Sequence, residues 1–123
     1  MSSYFIYLPK ETGWKLDHAT FVESLRVHWP DADIRIADDP TINYPLEWTL
    51  QMPEMRLDGT LDREGKAINL DGDIRDCAQF ALWVRSLIPN EYKLVFFDEE
   101  YTASVEIEKE TTEEELVKPF LAE

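Results

Sequence analysis

The chain is short of several things at once. It has one cysteine, Cys77, and four glycines. No apolar run approaches the roughly 18 residues that a membrane helix needs. One cysteine excludes an intrachain disulfide and a cysteine-based zinc site. With so few glycines there is no glycine-rich phosphate loop, and there is no G-x-S-x-G nucleophile elbow. The opening "MSSYFIYLPKETGWKLDH" carries a short apolar run without a basic flank, so it reads as a strand rather than a signal peptide. A reducing cytoplasm is the expected location. Cations are scarce too: 12 Lys and Arg stand against 26 Asp and Glu, for a net charge of −14. Such a surface disfavours direct phosphate contact, so neither nucleic acid nor a membrane is an expected partner.

What is present suffices for one core. The chain has 123 residues, of which 44% are hydrophobic, with four Trp, five Tyr and six Phe. A single α+β domain over residues 1–123 is expected. "SYFIYLP" is apolar on both faces, the pattern of a central strand, and Pro9 stops it. Asp17 is placed to cap a helix reaching Trp29, with Phe21, Val22, Leu25 and Trp29 on its buried face. "ADIRIAD" reads as a short strand with Ile34 and Ile36 inward, and "DDPTINYP" as a loop. A meander follows. Leu46, Trp48, Leu50 and Met52 alternate with polar residues, then Met55, Leu57, Gly59 and Leu61, then Ile68 and Leu70. Asp71 or Asp73 caps a second helix whose wide apolar face holds Cys77, Phe80, Ala81, Val84, Leu87 and Ile88. "YKLVFF" is another strand with two apolar faces. "TASVEIE" alternates again, with Ala103, Val105 and Ile107 inward. Thr111 or Thr112, with Glu114 or Glu115 three residues on, forms a capping box for a last short helix. The order β-α-β-β-β-β-α-β-β-α predicts one mostly antiparallel sheet with helices packed on one face. The other face would offer the polar residues of the meander to solvent or to a partner.

Several stretches invite a chemical reading. "DGTL", Asp58 to Leu61, resembles the tail of the D-x-D-G-T-L nucleophile motif of haloacid-dehalogenase-like phosphatases. The nucleophile position is Arg56 here, which cannot form an aspartyl-phosphate, so Asp58 is read as a strand residue. Gly59 would then leave room for a large neighbour such as Trp48. "TLDREGKAINLD" fails as a calcium loop, because Thr60 stands where the first carboxylate is required. Asp71, Asp73 and Asp76 read as helix-start carboxylates rather than metal ligands. His18 and His28 lie about three turns apart on one helix, too far to chelate one ion. Cys77 sits on an apolar face with no basic neighbour to activate it. "KLVFF" matches the central segment of the amyloid-β peptide, and Asp98, Glu99 and Glu100 follow it as gatekeepers. No catalytic residue, metal site or cofactor is assigned.

The charge is uneven. From Asp98 to the end of the chain there are ten acidic and two basic residues, a net of −8. Trp14, Tyr44 and Tyr101 fall in loops, and Trp83 at the edge of a helix face. Aromatic residues beside a charged surface are common interface anchors. Small acidic α+β chains without catalytic motifs resemble, in general character, bacterial immunity proteins and other protein inhibitors. That resemblance implies a non-enzymatic protein that binds and masks a basic partner such as a nuclease toxin. The candidate contact residues are Asp98, Glu99, Glu100, Tyr101, Glu106 and Glu108. A small-molecule binding module or complex subunit, with its ligand under the aromatic loops, is the second reading. An enzyme with a dispersed carboxylate site is the third.

Overall fold

Strict alternation of apolar and polar side chains is what lets a strand cover a core on one side and face away from it on the other. The computed structural model, which describes residues 3–9 and 13–121, has seven strands. They are β1 (Ser3–Tyr7), β2 (Asp33–Ile36), β3 (Leu46–Gln51), β4 (Arg56–Leu61), β5 (Ala67–Asp71), β6 (Val95–Asp98) and β7 (Ser104–Glu106). Of these, β3, β4 and β5 show the alternation most clearly. The seven form one sheet in the order β2-β3-β4-β5-β1-β6-β7. Every neighbouring pair is antiparallel. The protein is therefore α+β with a single antiparallel sheet.

The register sorts the side chains into rows across the sheet. One inward row runs Ile36, Leu46, Leu61, Ile68, Ile6, Phe96, Val105. The next runs Ile34, Trp48, Gly59, Leu70, Tyr4. Their middle members are buried and belong to one hydrophobic cluster. Three helices cover this side: α1 (His18–His28), α2 (Ile74–Leu87) and α3 (Glu113–Val117), the last continued by a 3₁₀ turn, Lys118–Phe120. Phe21 of α1 and Phe80 of α2 lie against Trp48, and Phe120 meets Tyr4 and Phe96 edge-on. The caps are Asp17 for α1, Asp73 for α2, and a reciprocal Thr112–Glu115 capping box for α3.

Three expectations are corrected. Met52 and Met55 are not strand residues: β3 stops at Gln51 and β4 starts at Arg56, with Pro53 in the turn between and Met55 exposed. Proline has no N–H for the ladder, so the alternation breaks there. Ile36 lies in the inward row but is 64% exposed. It is on an edge strand and lines an open groove with Val22 and Arg26 instead of meeting a helix. The two strands read as buried on both faces, β1 and β6, are covered on one face only, and their outward apolar residues stay partly exposed. Part of the "ETGWK" loop, Glu11 and Thr12, lies outside the described residues.

Two buried charges were not anticipated. Asp76, in the first turn of α2, has no exposure and accepts the N–H groups of Glu54 and Met55 at 3.2 and 3.0 Å. It ties α2 to the β3–β4 turn. Arg85, in the last turn of α2, donates to four carbonyls, those of Ile88, Pro89, Tyr92 and Ile107. It thereby ties α2 to the end of β7. Burial holds its pKa below the usual guanidinium value, and the charge of Glu106 offsets part of that.

Candidate functional site

The helices leave the second face of the sheet bare, and its composition changes from one side to the other. On β2, β3 and β4 the outward residues are polar. Arg35 is paired with Asp33 at 2.8 Å and with Glu47 at 3.4 Å, and Arg56 with Asp58 at 3.2 Å. The Thr49 hydroxyl donates to Asp58 at 2.8 Å, and Arg35 donates to that hydroxyl. Asp58 is thus a strand residue inside a polar network, opposite Thr49 on one side and Asp71 on the other. The Ser3 hydroxyl donates to Asp71.

On β1 and β6 the outward residues, Ser3 apart, are Phe5, Tyr7, Val95 and Phe97. These are the apolar positions that made both strands read as buried on two faces. No layer covers them, and they remain only partly buried. Because β1 lies between β5 and β6, Phe5 stands directly opposite Phe97, and their rings stack at 5.3 Å. Tyr101 extends the stack, with its ring 5.2 Å from that of Phe97 and nearly parallel to it. Exposed apolar rings side by side are unfavourable in water unless something covers them.

Tyr101 is held there by a turn. Its N–H donates to the Asp98 carbonyl at 3.0 Å, and the Thr102 N–H donates to the Asp98 carboxylate at 2.6 Å. Tyr101 takes φ +57, a left-handed conformation that L-residues other than glycine and asparagine adopt at a cost. The residue is 74% exposed, so little burial compensates for that strain.

The six candidate residues therefore separate by role. Asp98 falls on the helix side of β6 by its register with Tyr4, and its carboxylate closes the turn. Tyr101 belongs to the bare face. Glu106 ends the edge strand β7 on the same face, opposite Val95. Glu99 and Glu100 are exposed in the turn, and the Glu99 N–H donates to the Ser3 carbonyl. Glu108 is exposed beyond β7, beside the loop that Arg85 braces. Among the described residues, no hydrogen bond or ion pair occupies the carboxylates of Glu99, Glu100, Glu106 or Glu108.

Phe5, Phe97 and Asp71 belong to this surface and were missed as site residues. The signal for the first two was the doubly apolar pattern of their strands, which fits an uncovered aromatic strip as well as a buried strand. The other singled-out residues have structural places. Trp14 stacks on Tyr92, and Trp83 packs with Phe21, Trp29 and Phe80. His18 Nε2 meets the Asp62 carbonyl at 2.9 Å, and His28 lies against Trp29 and Trp83. Among the described residues no group of three or more His, Cys, Asp or Glu side chains could hold a metal ion. Nor is any described helix long and apolar enough to cross a membrane.

No protein-family model matches the chain, and neither a curated protein nor a solved structure matches it.

Proposed function

We propose that this is a non-enzymatic interaction protein that binds and masks a basic protein, in the manner of an immunity protein that neutralises a nuclease toxin. The observation that carries this reading is the aromatic stack Phe5–Phe97–Tyr101 on a sheet face with no covering layer, beside an acidic turn. Aromatic rings supply much of the binding energy where proteins meet. The net charge of −14 favours a cationic surface opposite and speeds its approach. The same charge works against a phosphate ligand.

The test is capture from a native lysate on immobilised protein, comparing wild type with the Glu99→Lys/Glu100→Lys variant. Both side chains are exposed and engage no described partner, so the fold is retained. The expected result is a basic protein held by the wild type and lost from the variant. Capture of acidic proteins alone, or recovery of only a small metabolite, would overturn this reading in favour of a ligand-binding module.

A further inference from the structure

We infer that the aromatic stack is a platform for an arginine side chain of the partner; this rests on the protein-binding reading above and gives its partner a recognition chemistry. The register makes the local charge balance explicit. On β5, β1, β6 and β7 the outward strand residues include Asp71 and Glu106 but no Lys or Arg. The two arginines farther along the face are already paired, Arg35 with Asp33 and Glu47, Arg56 with Asp58. Lys66 and Lys93 precede β5 and β6, at the end of these strands remote from Tyr101. The ring stack is thus bordered by Asp71 and Glu99 at one end and Glu106 at the other, with no Lys or Arg between them among the described residues.

The ring faces are electron-rich, and the carboxylates add negative potential around them. A cation is the complement of both. Guanidinium suits this place better than ammonium for two reasons. It is planar and lies flat on an open ring, whereas an ammonium is a compact point charge. It is also more weakly hydrated, so an exposed site can compete for it. Tyr101 is the decisive ring, because it is the most exposed member, held by its left-handed turn and by its contact with Phe97.

The experiment titrates nona-arginine and nona-lysine peptides, equal in charge, into isotope-labelled protein. Binding and ring resonances are followed by NMR for wild type and for Tyr101→Asn. Asparagine tolerates the left-handed backbone, so the turn survives. Nona-arginine should bind the wild type about two- to fivefold tighter than nona-lysine, the range of a cation–π contact at an exposed site. It should shift the Phe5, Phe97 and Tyr101 rings, and Tyr101→Asn should erase the preference while leaving nona-lysine binding unchanged. Equal affinity for the two peptides would overturn the inference, and so would shifts centred on the acidic first turn of α3. A basic partner captured through Glu99 and Glu100 but bound equally well by Tyr101→Asn would sink the platform and leave the proposed function standing. Arginine preference at the stack without any captured basic protein would sink the proposed function instead.

Discussion

A Cβ built on Gly59 falls 2.4 Å from the Trp48 indole, which no real contact tolerates. The two residues are register partners on β3 and β4, and the glycine is what lets the largest buried side chain lie flat across its neighbour. The same close fit leaves Trp48 Nε1 without a hydrogen-bond partner among the described residues. Gly59→Ala should therefore destabilise the protein by about 1–3 kcal/mol, the usual range for overpacking a close-packed core. The penalty should shrink when Trp48 is also replaced by Leu, because the clash and its relief share one contact. Urea denaturation of the two single variants and the double variant measures this. Additive effects would mean that Gly59 is required for some reason other than Trp48.

Helix α2 shows how one element serves several others. Its apolar face packs on the sheet, Asp76 at one end fixes the β3–β4 turn, and Arg85 at the other fixes the segment after β7. Cys77 lies between them, fully buried. Burial pushes its thiol pKa far up, and the negative charge of Asp76 pushes it further. An unfolded thiol ionises near pH 8.5, so above about that pH the unfolded state has lost a proton that the folded state retains. The stability linked to Cys77 is therefore complete below that pH and declines as pH rises, by at most about 1.4 kcal/mol per pH unit. Cys77→Ala should flatten the alkaline decline. In the wild type a thiol reagent should label Cys77 slowly under native conditions and quickly in denaturant. Fast native labelling would mean that this face of α2 is turned to solvent.

Across the whole molecule, charge and shape act at different ranges. The acidic excess is felt by an approaching cationic protein before any ring is touched, whereas the stack acts only on contact. Exposed charges are screened beyond about 8 Å at physiological ionic strength. Association with the captured partner should therefore slow as salt rises, and Glu100→Lys/Glu108→Lys should lower the on-rate by about tenfold. Glu106 is left alone because its charge supports Arg85. Stability should change by less than about 0.5 kcal/mol, since neither substituted residue is buried. Stopped-flow kinetics over a salt series, with thermal melts as control, measure both. An on-rate indifferent to salt and to charge reversal would remove steering and leave the contact chemistry alone to explain binding.

The period of the chain by itself determined which side chains of the meander face inward, because Leu46, Trp48 and Leu50 can share a face only in an extended strand. Local chemistry likewise determined the cap at Asp17 and narrowed that of α3 to Thr111 or Thr112, since these oxygens bond N–H groups within three residues. The acidity of the chain is a property of composition. Strand order is not, since antiparallel pairing leaves several neighbours open to β1. Only the tertiary structure placed β1 between β5 and β6, and so brought Phe5 from one end of the chain against Phe97 near the other. The one-sided helix layer was expected from the element order, but only the tertiary structure showed that β1 and β6, patterned for burial on both faces, present an aromatic strip outward. Asp76 and Arg85 were illegible for a related reason. Their partners are backbone N–H and carbonyl groups of distant segments, and every residue type carries a carbonyl that looks the same in a sequence.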